Sequence, residues 1–402
     1  MPYYRDVFDS LKVKPEDIRT PEDLHAFPLL SREHIQGLPL KTFIAKDVDV
    51  SRCKSFTTSG TTGTPLKIYY RRSDWTLLNL GWLRVFLSSG MNPWHRRVAF
   101  TGQQNPQQRK SWYEHLRLWR RKDISTWGRH EEWIEEIRRW KPQVLMGYSM
   151  TLRVLAEACE KYDIRDIRPR ILFSTSGMLD EACRKYLRAI FLSRIIDIYA
   201  SYEAGCIAWE CEKCSGYHVS SDTLVVEVLK NGRPASPGEE GEVVITNLHS
   251  YAMPLIRYRQ GDIVTVSGRR PACGRGFPLL ENIQGRINDC IVLKNGHRIS
   301  SQPFFFCVQL VPGVRRWQIF QERIDRIKVT IEPNDAFTES SRQLLEDNLR
   351  DLVKDQLSIE IALVDSIPIS PASKFRQVSS NLRPNLTKGD EYSNFDSHKE
   401  PM

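Results

Sequence analysis

No apolar run in this chain approaches the roughly 20 residues that a membrane-crossing helix needs, and the opening Met1-Pro2-Tyr3-Tyr4-Arg5-Asp6 lacks the apolar core of a secretory leader. Both absences lead to the expectation of a soluble, cytoplasmic protein. A long block of one charge is also missing. Lys and Arg number 58 against 49 Asp and Glu, a formal net charge of +9, but the basic residues are spread over amphipathic stretches such as 109–121. That spread argues against a nucleic-acid-binding tail and suits a solvated basic face that attracts an anionic nucleotide. Cysteine is sparse and odd in number, at nine. A disulfide-built scaffold is thereby excluded, and in a cytosolic protein a clustered subset points to metal before disulfides. The phosphate-loop spacing G-x-x-x-x-G-K-[ST] is absent, since no Ser or Thr follows Lys67. From about Thr387 onward there is no periodicity, and the tail 387–402 is expected to be disordered.

What is present begins with a dense hydroxyl and glycine stretch, Ser55-Phe56-Thr57-Thr58-Ser59-Gly60-Thr61-Thr62-Gly63-Thr64-Pro65-Leu66-Lys67, next to the apolar run Ile68-Tyr69-Tyr70. Glycines let a backbone approach phosphate closely with its N–H groups, and Ser and Thr hydroxyls add further donors. The same composition also suits a flexible linker, although linkers seldom adjoin an apolar β-like run. The candidate nucleotide contacts here are Thr58, Ser59, Gly60, Thr61, Thr62, Gly63 and Lys67. Downstream, Trp133, Ile137 and Trp140 recur at helical spacing until Pro142 stops the helix, and a second helix fits 152–162. Ile171-Leu172-Phe173-Ser174-Thr175 and Ile195-Ile196-Asp197-Ile198-Tyr199 read as buried strands, so alternation of strands and helices predicts parallel α/β architecture with ligands at the carboxyl ends of the strands. Segments 224–228 and 241–246, with turn signals at Asn231-Gly232 and Pro237-Gly238, read as antiparallel hairpin material. The hydrophobic content of 41% and the length of 402 residues allow a sizeable core and two or three domains.

A separate group is Cys211-Glu212-Lys213-Cys214-Ser215-Gly216-Tyr217-His218, with Cys273-Gly274 far downstream. The C-x-x-C pair and the nearby His have zinc-ligand spacing, with Cys273 as a fourth ligand and Cys206 as a spare. Unligated thiols in a loop are the alternative; soft ligands clustered in a cytosolic protein favour Zn²⁺.

The order of these elements resembles the adenylate-forming ligase superfamily, in the branch of phenylacetate–CoA ligase and its CapK-like capsule-biosynthesis relatives. The resemblance runs from Pro2-Tyr3-Tyr4-Arg5 and 15–24, through the hydroxyl loop, to Pro368-Ile369-Ser370-Pro371-Ala372-Ser373-Lys374-Phe375-Arg376. Tyr199-Ala200-Ser201-Tyr202-Glu203 resembles the family's Y-G-x-[ST]-E, which implies an aromatic ring near adenine and a Glu for Mg²⁺; Ala200 and Tyr202 depart from the pattern. Arg257-Tyr258-Arg259-Gln260-Gly261-Asp262 resembles Y-R-T-G-D, which implies that Asp262 accepts both ribose hydroxyls. Gly285-Arg286-Ile287-Asn288-Asp289 resembles G-R-x-D-D at the domain junction, with Arg286 toward ribose and phosphate and Asn288 in place of the hinge Asp. Lys374 matches the lysine that reaches the α-phosphate and the substrate carboxylate; Ser373 precedes it where the family has Gly.

The resemblance implies an α/β fold: a large N-terminal adenylation domain over 1–285, of parallel and mixed sheets with helices plus a β-rich subdomain, and a small α+β lid over 286–386. It implies ATP-dependent conversion of a carboxylic acid to an acyl-adenylate and transfer to a thiol such as coenzyme A, with Lys374 and Glu203 catalytic. Gly177 joins the nucleotide contacts, and Gly147-Tyr148-Ser149 with Ser174-Thr175-Ser176-Gly177 border an acyl pocket suited to an aryl acid. Expected partners are the acid, ATP with Mg²⁺, coenzyme A and a second copy of the chain, with no nucleic acid and no membrane insertion. Transfer to an amine, release of an adenylated product, and a non-catalytic scaffold role remain open as alternatives.

Overall fold

A computed structural model describes residues 1–58, 66–103, 106, 112–126, 128–177, 179, 181–286, 291–295, 298–299, 303–304, 307–308, 311–367 and 377–382. One twelve-stranded sheet organises most of the chain. Its parallel part has the spatial order Arg121–Ser125, Arg97–Thr101, Val144–Tyr148, Ile171–Thr175, Arg194–Ser201. All five residues of Ile171–Thr175 are buried, as expected for a strand covered by helices on both faces.

The covering helices follow from periodicity. His130–Trp140 buries Trp133, Ile134 and Ile137, and Trp140 is partly buried against the same cluster. The helix ends as Lys141 turns left-handed, φ 49°, a common helix-terminating conformation, and Pro142, which has no N–H to continue the ladder, follows it. Ser149–Lys161 buries Leu152, Leu155, Ala156 and Cys159 against Leu145 and Leu172. It starts at the carboxyl end of Val144–Tyr148, three residues earlier than the expected Leu152, as Ser149 enters the helix directly from the strand.

The β-rich segments extend the same sheet. Gly205–Cys211 returns antiparallel beside Arg194–Ser201, followed in space by Cys214–Val219, Leu279–Arg286, Tyr258–Val266, Glu240–Asn247 and Leu224–Lys230. The Asn231-Gly232 signal is realised as a hairpin turn with both residues at positive φ, 52° and 76°, the pairing that a two-residue turn demands. A buried ion pair anchors the N-terminal segment to this region: Arg257 donates to both Glu227 oxygens at 2.9 and 3.1 Å and to the carbonyls of His25 and Phe27.

Residues 314–380 contribute a second sheet, ordered Ser358–Leu363, Arg326–Pro333, Val314–Arg323, Val378–Ser380, with helix Glu339–Val353 burying Leu345, Leu349 and Val353. These residues share a core with Ile291, Leu293, Ile319 and Val329. Among the described residues no helix is long and apolar enough to cross a membrane. The expected junction motif at 287–289, with Asn288, and the tail 387–402 lie outside the described residues.

Candidate nucleotide and acyl site

The hydroxyl loop is carried by an antiparallel hairpin, Lys54–Thr58 with Leu66–Tyr70, whose innermost described pair is Thr58 with Leu66. Ser59, Gly60, Thr61, Thr62 and Gly63 lie outside the described residues, as does the side chain of Thr58. Burial alternates along the second strand, so Leu66, Ile68 and Tyr70 face the core. Lys67 is exposed on the other face, its ammonium 5.2 Å from the Tyr69 ring centre.

The hairpin is fastened to the turn that follows Arg194–Ser201. The buried Tyr70 hydroxyl donates to the carbonyls of Tyr202 (2.6 Å) and Glu203 (3.0 Å), and Asn247 Nδ2 also donates to the Glu203 carbonyl at 3.3 Å. Phe56 stacks between Trp75 and Tyr202, with ring centres 4.6 and 5.3 Å away. Tyr202, the bulky departure from the family pattern, therefore lies flat on Phe56, with the Tyr148 and Glu203 side chains beside it. The turn itself is closed by Ala204 N–H donating to Ser201 Oγ at 3.1 Å. Gly205 then adopts φ 72°, where an added Cβ would also stand 2.8 Å from Leu78 Cδ2, so only glycine fits without strain. Glu203 is held at 7% exposure by this scaffold. Burial first, and the nearby Glu203 charge second, push the Tyr70 hydroxyl well above its ordinary acidity range.

Tyr199 and Asp262 meet although 63 residues separate them: the Tyr199 hydroxyl donates to Asp262 Oδ2 at 2.6 Å. Asp262 is aimed by a bulge. The register between Glu240–Asn247 and Tyr258–Val266 shifts between Glu242 and Val244, and Gly261 sits at φ 72° just before the aspartate. Asp262 also lies opposite Arg286 in the ladder to Leu279–Arg286; the Arg286 side chain is outside the described residues. Thus Tyr199 and Asp262 are brought together with the backbone of Arg286, while Glu203 caps the same strand end four residues after Tyr199.

Gly177 and Ser149 form a close approach at the neighbouring strand ends. A Cβ on Gly177 would fall 2.4 Å from Ser149 Oγ. Tyr148 precedes that serine, and an added Cβ at Gly102 would stand 3.6 Å from its hydroxyl. Lys374 and Ser373 lie outside the described residues.

Sequence reasoning passed over two features of this region. One is Tyr70, whose only signal is its place beside the hydroxyl loop. The other is Asp197, a lone carboxylate in an isoleucine run. Its Oδ2 accepts from Tyr217 OH at 2.9 Å, and its backbone N–H donates to Glu210 Oε2 at 2.8 Å. Arg184 in turn donates to Glu210 Oε1 at 2.7 Å. Burial and the Glu210 charge push the Asp197 carboxyl up to about 7, against the opposing pull of the Ser174 and Tyr217 hydroxyls and Arg184.

The thiol and imidazole group also assembles. His218 Nε2 is 3.2 Å from Cys211 Sγ and 3.4 Å from Cys273 Sγ. The Cys214 side chain is outside the described residues. Cys206 is not part of the cluster; it is fully buried, its thiol directed at the Ala208 carbonyl and pushed up to about 12 by burial.

Residues 291–381 match the CapK C-terminal domain family. The phenylacetate-coenzyme A ligase of Escherichia coli (strain K12) is 27% identical over 317 residues, 75% of this chain and 70% of that protein. The phenylacetate-coenzyme A ligase of Thermus thermophilus is 25% identical over 87% of this chain and 81% of its own length. Among solved structures, a 2-hydroxyisobutyryl-CoA ligase in the postadenylation state superimposes with TM-score 0.77 at 19% identity, covering 94% of this chain and 85% of that one. The fold, the ordered motifs and these relatives agree: the chain is similar to phenylacetate-coenzyme A ligases over most of its length and matches the CapK C-terminal domain family over residues 291–381, which supports the adenylate-forming ligase superfamily.

Proposed function

We propose that this protein is an AMP-forming acid–thiol ligase: a carboxylic acid attacks the α-phosphorus of ATP to give an acyl-adenylate and pyrophosphate, and the thiol of coenzyme A then displaces AMP. The observation that carries the reading is the Tyr199–Asp262 hydrogen bond near the turn that bears Glu203, a turn fastened by Tyr70 to the hairpin that flanks the hydroxyl loop. Neither step needs a protein nucleophile. Positioning and electrostatics do the work.

In this reading Asp262 accepts the ribose hydroxyls, with Tyr199 OH holding its second oxygen, and Thr58, Ser59, Gly60, Thr61, Thr62 and Gly63 surround the phosphates. Glu203 fits Mg²⁺ by donor chemistry, being a buried carboxylate at the strand end, and the bound ion would neutralise phosphate charge. Lys374 places an ammonium between the carboxylate and the α-phosphate, offsetting their repulsion as the new bond forms. Residues 286–386 act as the lid that brings Lys374 to the nucleotide, with Arg286 at its base. Tyr148, Ser149 and Gly177 border the acyl group, and the aromatic wall favours an aryl acid. The cytoplasm, which supplies ATP and coenzyme A, is its location.

The reading is tested by pyrophosphate release from MgATP across a panel of aryl and short aliphatic acids, followed by coenzyme A consumption with the acids that respond. Release that depends on the acid, followed by thioester formation, is the expected result. A folded protein that releases no pyrophosphate with any acid would leave the ligase assignment without support.

A further inference from the structure

Three groups that coordinate soft metals converge where the hairpin Gly205–Val219 meets the loop ahead of Leu279–Arg286. The ligand atoms of Cys211, His218 and Cys273 all lie within 4.8 Å of one another. A tetrahedral zinc with Zn–S near 2.3 Å and Zn–N near 2.0 Å requires S···N separations of roughly 3.6 Å and S···S separations of roughly 3.8 Å. The observed S···N distances, 3.2 and 3.4 Å, are within a few tenths of that requirement. Cys211 and His218 are buried and come from neighbouring strands, while Cys273 arrives from a turn closed by Gly274 N–H donating to the Pro271 carbonyl at 3.2 Å.

We propose that this cluster is a structural zinc site, with Cys211, His218 and Cys273 as ligands and Cys214 completing the tetrahedron. Cys214 enters on backbone register: it lies directly opposite Cys211 across the turn Glu212-Lys213, as the C-x-x-C spacing of metal knuckles requires. Three thiolates and a neutral imidazole around Zn²⁺ carry a net charge of −1, and Arg84, itself ion-paired with Asp222, lies close to the cluster. The Arg84 guanidinium is sandwiched against Trp209 and Phe277, 4.3 and 4.7 Å from their ring centres, and Trp209 also packs on His218 at 5.3 Å.

Four protein ligands leave no open position, so the ion does no chemistry and its binding energy is folding energy. It would tie the Cys211–His218 hairpin to the 271–275 loop. The strand after that loop pairs at Leu279 and Leu280 with His218 and Tyr217 and continues to Arg286 opposite Asp262. Gly216 enables the close packing there: at φ 113°, an added Cβ would be 2.5 Å from the Leu280 carbonyl.

The test is elemental analysis of the full chain, purified without chelator or added metal and dialysed. The expected result is about one zinc per chain, released when the thiols are titrated with a mercurial. Cobalt exchanged into the site should give the intense absorption of tetrahedral thiolate coordination. Cys273→Ser and Cys214→Ser should each lose zinc, whereas Cys206→Ser should keep it. Should a variant fail to fold, stripping zinc from the native chain with phenanthroline and following the drop in melting temperature, restored by zinc, serves in its place. Metal-free protein with freely alkylated Cys211 and Cys273, a Cys211–Cys273 disulfide by mass, or full zinc retained in Cys214→Ser would each overturn this four-ligand site.

Discussion

Replacing Asp197 by Asn should remove a pH-dependent loss of stability that the native chain carries between about pH 4 and 7. The carboxyl is 6% exposed, and burial together with Glu210 raises its pKa from 3.8 to about 7. At about 1.4 kcal/mol for each tenfold change in acidity, that displacement corresponds to about 4 kcal/mol. The folded-state value exceeds the unfolded one, so the folded chain holds more protons across this window. Asp197's share of stability is therefore complete below about pH 4 and is lost as the pH climbs through 7. His34 and His95 work in the opposite sense, because burial holds each below its ordinary value and stability rises as they deprotonate. Both proteins share those histidines, so the difference between them isolates residue 197. Asn keeps an acceptor for the Tyr217 hydroxyl and the same volume. Urea unfolding at intervals from about pH 5 to 8, converted to free energies with the measured slopes, should show the variant gaining on the parent as the pH rises. A stability difference that stays constant over that range would refute the buried-carboxylate argument.

Lys374→Ala should lower adenylate formation by a factor on the order of a hundred, comparable to removing an oxyanion donor, while MgATP binding persists; pyrophosphate release checks the first and a thermal shift the second. MgATP should raise the melting temperature of the parent, by roughly 2.7 kcal/mol of stabilisation at a hundredfold excess over its Kd, and Asp262→Ala should abolish most of that rise. Tyr70→Phe should destabilise the fold by about 1–3 kcal/mol, since the carbonyls of Tyr202 and Glu203 lose a buried donor; chemical denaturation reads this directly.

Periodicity and turn chemistry made much of the fold legible. The Trp133 and Ile137 face, the run Ile171–Thr175 and the Asn231-Gly232 turn each express a local rule, and each is realised. The motif residues Tyr199, Glu203 and Asp262 were legible singly, through their resemblance to the family's Y-G-x-[ST]-E and Y-R-T-G-D patterns. Their meeting was not, since the Tyr199–Asp262 bond depends on the register of strands 63 residues apart. The same holds for Asp197, whose unusual acidity comes from Glu210, Tyr217 and burial that no local pattern encodes. The continuity of the β-rich strands with the parallel ones turned on a single left-handed glycine, Gly205, at the end of the Glu203 turn.

The most direct test of the central claim is acid-dependent exchange between ATP and labelled pyrophosphate, measured without coenzyme A so that only the adenylation half-reaction is read. The account predicts exchange that appears with an accepted carboxylic acid, needs Mg²⁺, and falls by about a hundredfold in Lys374→Ala. Exchange that proceeds equally without any acid, or that survives Lys374→Ala unchanged, would contradict it.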